Sequence, residues 1–326
     1  TRFINARNQE KNTKFDSLLQ QANDNYNAAL GLQTLNPGEA SQKLASAKSN
    51  LDEALKLKPN DKQANDLKKK FEEGASTITG QFNSQFSQYL DLGLIKSGFQ
   101  AERLSLSTGN LAILDPTSKT LVSVDLAKKS HQILAGKEQL GDATQSSING
   151  RLVFVYSKDK GVLRVDSGNQ KVTEVTDVDD GWGENPDLSG FASNVYLLDS
   201  GKNQIWKYVA AETGYSDKRA YLEADTKANF SGALRMQIES SVYVLKQGGE
   251  ILRFTKGAAD FFSIGGLDKG IKDPKSIFVS SDTENLYVLD SGNARLVVLS
   301  KVGAYKAQYG GDKFSSASDL VVDEKG

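Results

Sequence analysis

Apolar positions recur every three or four residues up to about residue 88, and every two residues from about Tyr89 onward. The first rhythm lines one face of a helix, the second one face of a strand. Phe15, Leu18, Leu19, Ala22, Tyr26, Ala29 and Leu30 share one helical face, which Asn36-Pro37-Gly38 ends. Ala40, Leu44, Ala47, Leu51, Ala54 and Leu55 define a second helix, ended by Lys58-Pro59-Asn60. Asp61 is placed to cap a third, with Ala64, Leu67, Phe71, Ala75, Ile78, Phe82 and Phe86 on its face and weak points at Gly74 and Gly80. The pattern predicts no strand here, so residues 1–88 are expected to form a helical hairpin or stalk of three helices.

The rest reads as hairpins. In the clearest, Leu286–Leu299 (LYVLDSGNARLVVL), two apolar runs flank the turn Asp290-Ser291-Gly292-Asn293. Asp and Asn can bond the turn backbone there, and Gly292 is expected at positive φ. Looser copies stand at Leu111–Val124, Val195–Tyr208 and Val242–Phe254. The equivalent turns, near Asp115, Ser157, Asp199, Lys246 and Asp290, recur every 42 to 46 residues or so, a spacing typical of propeller blades. Each unit divides into four strands. Complete units are expected at about 100–136, 142–176, 187–224, 231–266 and 273–310, and a sixth starts at Ser316–Val322. An open ring leaves bare edges, so Gln88–Ile95 is expected to supply an outer strand that closes it. The expected fold class is α plus all-β: a three-helix stalk, then a six-bladed β-propeller of four-stranded antiparallel blades over 89–326, its last blade incomplete in this chain.

Composition narrows function more than fold. Lys+Arg number 40 against 41 Asp+Glu, a net charge of −1, so no basic field for nucleic acid or anionic lipid is expected. The chain has no Cys, which removes disulfides, thiolate metal sites and Cys nucleophiles. Its single histidine, His131, cannot form an imidazole cluster and falls on an outer strand, far from the propeller axis. No apolar run reaches the roughly 18 residues that cross a bilayer. The chain starts at Thr1 without Met, so membrane attachment is expected through a segment upstream of Thr1.

Three resemblances follow from these residues. Glu53–Ala64 (EALKLKPNDKQA) resembles the end of a tetratricopeptide repeat at Ala54, Leu55, Leu57, Pro59 and Ala64. It covers one repeat at most, and a peptide-binding groove of that family needs about three. Tyr287–Leu299, with Asp290-Ser-Gly292-Asn293 followed by Arg295, resembles the core of an NHL repeat, and Tyr196–Asn203 is a looser match. A helical stalk before a propeller is also similar to the extracytoplasmic sensor region of bacterial membrane-anchored kinases and PPM-type phosphatases. That similarity implies a position on the extracytoplasmic side of a bacterial membrane, the alternative being the cytoplasm.

The loop Asp177–Asp187 (DVDDGWGENPD) departs most from the repeat, and Asp177, Asp179, Asp180, Trp182 and Glu184 are the candidate ligand- or partner-binding residues. A calcium loop would need an acid or amide at Gly181 and a Glu at Leu188, which this loop lacks. Trp206, and the repeated Tyr196, Tyr243 and Tyr287, are expected in the core, with Asp115, Asp199 and Asp290 as turn caps. Gly248-Gly249 precedes a hairpin instead of a helix, so it is no phosphate loop. The inner strands, read as Leu104–Ser107, Ser276–Ser280 and Asp319–Val322, are apolar or hydroxylic. They lack the Glu, Asn and Asp set of lactonase-type propellers, and one His cannot supply the zinc ligands of NHL-like lyases.

No catalytic residue, cofactor or metal is expected in this fragment. The function expected is non-enzymatic: a binding or sensor module that presents its loop face to a protein, peptide or cell-envelope ligand. The alternative is a calcium-dependent propeller enzyme of lactonase or lyase type.

Overall fold

The computed structural model describes residues 2–325. The chain divides into two compact units: Thr1–Ser84 with Ile264–Gly270 and Val297–Gly310, and Gln85–Ser263 with Ile271–Leu296 and Gly311–Gly326.

In the first unit, helices α1 (Arg2–Leu32), α2 (Pro37–Leu57) and α3 (Lys62–Thr79) follow the order the periodicity predicts. Phe15, Leu19, Ala22, Tyr26 and Ala29 of α1 are buried with Ala40, Leu44, Ala47, Leu51 and Ala54 of α2 and with Ala64, Phe71 and Ile78 of α3. The alanines let the backbones approach, and Tyr26 stacks on Phe71 with ring centroids 4.5 Å apart. Asn36 and Asp61 cap α2 and α3 by accepting the amides of Glu39 and Ala64.

Helix α3 stops earlier than its apolar face suggests. Gly80 takes a left-handed conformation (φ 63°) and ends it, so Phe82 and Phe86 leave that face. Gly74, an expected weak point, sits inside the helix against the Tyr26 hydroxyl, where any Cβ would collide. Residues Gln81–Asn83 then form a strand, parallel to Tyr305–Gly310, that the helical periodicity does not predict. The amide of Gln308 donates to Gly80 O at 2.7 Å, and Phe82 stacks on Tyr309. The partner lies more than 200 residues away, so no local pattern encodes the pairing.

The second unit holds four complete antiparallel sheets. Blade 1 comprises Arg103–Ser107, Asn110–Asp115, Thr120–Asp125 and Ser130–Ala135; blade 2 comprises Ala143–Asn149, Leu152–Ser157, Gly161–Asp166 and Val172–Thr176. Blade 3 comprises Asp187–Phe191, Asn194–Asp199, Gln204–Tyr208 and Arg219–Ala220; blade 4 comprises Ala233–Ile238, Val242–Lys246, Ile251–Thr255 and Ala258–Asp260. Blade 5 places Pro274–Phe278 and Asn285–Asp290 in this unit, and its remaining strands are Arg295–Ser300 and Tyr305–Gly310, to which Gln81–Asn83 is added. Sequential four-stranded antiparallel sheets of this kind make a β-propeller.

Apolar cores lie between adjacent blades. Leu114 and Leu121 meet Val153 and Val155, Phe154 meets Leu188 and Leu197, and Tyr196 and Leu198 meet Met236 and Val244. Neighbouring residues of one strand therefore enter different cores, which is why the second strands read as continuous apolar runs. Tyr196, Tyr243 and Tyr287 are all buried at equivalent positions.

Among the described residues the structure has five blades, not the six expected. Residues 316–322 form no strand, since among the described residues no partner strand lies beside them. Gln88–Ile95 is not a strand either: it contains a 3₁₀ turn, Leu92–Leu94. Leu90, Leu92, Ile95 and Phe99 pack over Ile113, Val122 and Val124 of blade 1, so these side chains cover a sheet face instead of extending an edge. The extra strand that the chain does add, Gln81–Asn83, runs along Tyr305–Gly310 of blade 5.

Candidate functional site

The acidic loop before blade 3 is a fastening more than an open site. Asp179 accepts the Gly181 amide at 2.7 Å and pairs with Lys218 Nζ at 2.6 Å, and that lysine bond first, then the amide, holds its carboxyl below the usual range. Trp182 is half-buried; its Nε1 donates to the Tyr208 hydroxyl at 3.0 Å and its ring meets Tyr156 edge-on. The Glu184 carbonyl accepts the Ser200 amide at 2.7 Å, and its carboxylate faces the Ser200 hydroxyl. Asp177 and Asp180 point to solvent. The five candidates are thus brought to one loop but do not converge on a common point. No cluster of three His, Cys, Asp or Glu side chains suited to a metal occurs among the described residues.

A repeated device orders the entering loops of blades 1, 3 and 5. The turn carboxylate of a blade, fully buried in each case, accepts the backbone amide of the loop that enters the same blade. Asp115 takes the Gln100 amide at 3.0 Å, Asp199 the Gly183 amide at 2.8 Å and Asp290 the Lys272 amide at 2.8 Å. In blade 2, where Ser157 replaces the Asp, Asp159 takes the Asp142 amide at 2.6 Å and the Ser157 hydroxyl. Burial pushes the Asp115 carboxyl up, but hydrogen bonds from Ser118, Gln100 and Thr117 outweigh it and hold the group below its usual value.

Asp199 also accepts Trp206 Nε1 at 2.8 Å, so Trp206 belongs to the same fastening and is half-buried, with Lys218 over its ring. Asp290 accepts Arg295 Nε at 2.7 Å, which gives the Asp and Arg of the Leu286–Leu299 hairpin a shared role. Gly292 corrects its expected reason for being glycine. It is not at positive φ; Ala294 is, at φ 49°. Gly292 donates its amide to Lys272 O at 2.8 Å, and a Cβ would strike that carbonyl.

The charged residues that matter at the propeller axis escape a strand-by-strand reading. Arg103, Gln145, Asp187, Arg235 and Ser276 pair with Leu114, Tyr156, Leu198, Leu245 and Leu289, each the residue just before its blade's outer turn. They are therefore equivalent inner-strand positions, at the end of each blade nearest the pinned loops. In blades 2, 4 and 5 a bulge immediately precedes this residue and re-aims it. Asp319 joins the set: its Oδ2 lies 2.9 Å from Arg235 Nη2 and accepts the Leu104 amide at 2.8 Å, while Oδ1 accepts the Ser276 hydroxyl. Asp187 accepts the Met236 amide at 2.8 Å and lies 3.6 Å from Arg235 Nε.

Burial pushes the Asp187 carboxyl up against the pull of Arg235 and Arg103. Burial, then the charge of Arg235, lowers Arg103. Gln145 Oε1 and Ser146 Oγ are buried without partners nearby. The inner strands thus carry charge where an apolar or hydroxylic lining was expected. The signal was present in the spacing: these residues follow one another by 42, 42, 48, 41 and 43 positions. His131 lies exposed on the outer strand of blade 1, and Gly248-Gly249 lies within the turn of a hairpin.

No protein-family model matches the chain, and no curated protein sequence matches it. Solved structures do. A chain in the crystal structure of a nidogen/laminin complex has a TM-score of 0.50 at 12% identity, covering 67% of this chain and 82% of that one. Virginiamycin B lyase from Staphylococcus aureus has a TM-score of 0.48 at 14% identity, covering 68% and 73%, and a streptogramin B lyase 0.46 at 13%, covering 64% and 68%. At such identities the likeness is one of fold. No helix among the described residues is long and apolar enough to cross a membrane.

Proposed function

We propose that this chain is a non-enzymatic binding or sensor module: a TPR-like helical region followed by an NHL-like propeller whose loop face receives a protein, peptide or cell-envelope ligand. We read it as the extracytoplasmic portion of a bacterial membrane-anchored signalling protein, of kinase or PPM-phosphatase type. The observation that supports binding is the pinning of the entering loops by Asp115, Asp159, Asp199 and Asp290. A face whose loops are already ordered loses little conformational entropy when a partner docks. Exposed Asp180 and Glu184 place negative charge on that face.

Cosedimentation with bacterial cell-envelope preparations tests the reading. The unaltered chain is expected to sediment, the Asp180→Lys/Glu184→Lys variant to stay in solution, and an outer-strand control, His131→Ala, to sediment normally. No binding by the unaltered chain, or equal binding by all three, overturns the proposal.

A further inference from the structure

Residues 318–322 hold an inner strand's place without a strand's partner. Asp319 follows Ser276 by 43 residues, the offset that separates Ser105 from Ile148 and Ser147 from Gly190, and each of these pairs is hydrogen-bonded between neighbouring inner positions. Asp319 accepts the Leu104 amide at 2.8 Å as Asp187 accepts that of Met236. In each of the five blades the inner strand pairs along its other edge with a second strand. Among the described residues, no backbone–backbone bond is made by 317–325. Side chains hold the segment instead: Asp319, Ser318 on Ala101 O, and Glu324 on the Glu284 amide. Extended backbone with unpaired N–H and C=O groups is a template for another strand. A cavity of about 200 Å³ adjoins it between the inner hairpins of blades 1 and 5, lined by Leu106, Phe278 and Val322. The same lining carries three carboxylates, Asp282, Asp323 and Glu324, against one ammonium, Lys325.

We propose that the outward edge of residues 318–322 accepts one extended segment of another polypeptide, laid antiparallel to it, with apolar residues and a basic residue at its amino-terminal end. Leu320, Val321 and Val322 are half-buried and call for apolar cross-strand neighbours. An antiparallel partner begins where residues 322–325 end, beside Asp282 and Asp323, so its basic residue comes first. A small molecule fills the cavity without pairing with the backbone, whereas a strand does both. This surface lies at the inner-hairpin end of the blades, away from the pinned loops, so the inference does not rest on the reading above.

Amide hydrogen exchange on the purified chain tests it, with the acetylated peptide Lys-Asn-Val-Tyr-Leu-Leu-Asp as probe. Its last six residues copy the second strand of blade 3, Asn194–Asp199. Successive strand residues direct their N–H groups to opposite edges, so one of Val321 and Val322 faces the probe. Exchange of that amide should slow roughly a hundredfold at a peptide concentration about 100 times Kd. The same peptide N-methylated at alternate residues, which has lost ladder donors, should leave it unchanged. A leading Glu in place of Lys should weaken binding roughly fivefold at low salt. The proposal is overturned by no slowing, by equal slowing with the N-methylated peptide, or by slowing confined to other strands. It is also overturned if the amide is already slow in a dimer seen by sedimentation, because a second copy then covers the edge.

Discussion

Asp319 accepts the backbone amide of Leu104 at 2.8 Å, although 215 residues separate them. Asp187 does the same for Met236, the residue after Arg235 as Leu104 is the residue after Arg103. The two aspartates thus act alike: each reaches an adjacent inner strand and each faces Arg235. Residues around Asp319 are therefore held in place without belonging to a sheet. Ser318 donates to Ala101 O, and Glu324 accepts the Glu284 and Asn285 amides and the Tyr287 hydroxyl.

Removing the Asp319 carboxylate should unseat this end. Asp319→Ala leaves Arg235 buried with one fewer counter-charge and is expected to cost about 3–5 kcal/mol in urea unfolding. Asp319→Asn keeps an acceptor for Leu104 and should cost less. A loss under about 1 kcal/mol for the alanine variant would mean the segment is not anchored through this residue.

Gly292 and Gly201 are needed for close approach. A Cβ on Gly292 would strike Lys272 O, and one on Gly201 would strike the Gly183–Glu184 backbone. Each alanine variant should lose about 1–3 kcal/mol, as overpacking does, measured by chemical denaturation. Since neither backbone is at positive φ, Ala and Ser should be about equally harmful at each site. A neutral Gly292→Ala would show that the loop yields.

The Asp115 carboxyl sits below its ordinary value in the folded chain. The unfolded chain, near 3.9, therefore takes up the proton first as pH falls. The stabilisation should be complete above about pH 5 and lost as pH drops through the unfolded and then the folded value. Stability curves of the unaltered chain and of Asp115→Asn should run parallel at neutral pH and converge below about pH 4. Parallel curves down to pH 3 would show that this carboxyl is not the linked group.

Trp182 tests whether the acidic loop binds through its aromatic side chain. Trp182→Ala removes the bond to Tyr208 and the contact with Tyr156, so about 1–3 kcal/mol of stability should go with it, less than for a fully buried aromatic. Asp180→Lys, on the exposed part of the loop, should leave stability within about 0.5 kcal/mol. A Trp182 variant that binds envelope material less well with no change in stability would instead make this side chain a direct partner contact.

Local residue patterns account for a good share of this molecule. The helix faces, from Phe15 to Ile78, lie where three-and-four spacing places them, because burial against neighbouring helices needs that spacing. The blade strands and their turns follow in the same way from alternating apolar runs broken by Asp, Gly and Asn. The candidate site was less legible. The loop of Asp177–Asp187 stands out by composition, yet Asp179, Trp182 and Glu184 turn to Lys218, Tyr208 and Ser200. Which side chains a loop engages is set by the strands beside it, and residues ten to forty positions away leave no mark in its own composition.

What the amino-acid order determined alone is periodicity: where helices run, where strands turn, and that blades repeat every forty-odd residues. Tertiary structure decided everything that depends on one repeat meeting another. It stopped α3 at Gly80 and paired Gln81–Asn83 with Tyr305–Gly310. It laid Leu90, Leu92 and Ile95 over blade 1, and left Ser316–Val322 outside any sheet. It also gathered Arg103, Asp187, Arg235 and Asp319 at one axis. The physical reason is range: burial of a face constrains neighbours three or two residues apart, whereas buried charges find their counter-charges only once distant strands have been brought together.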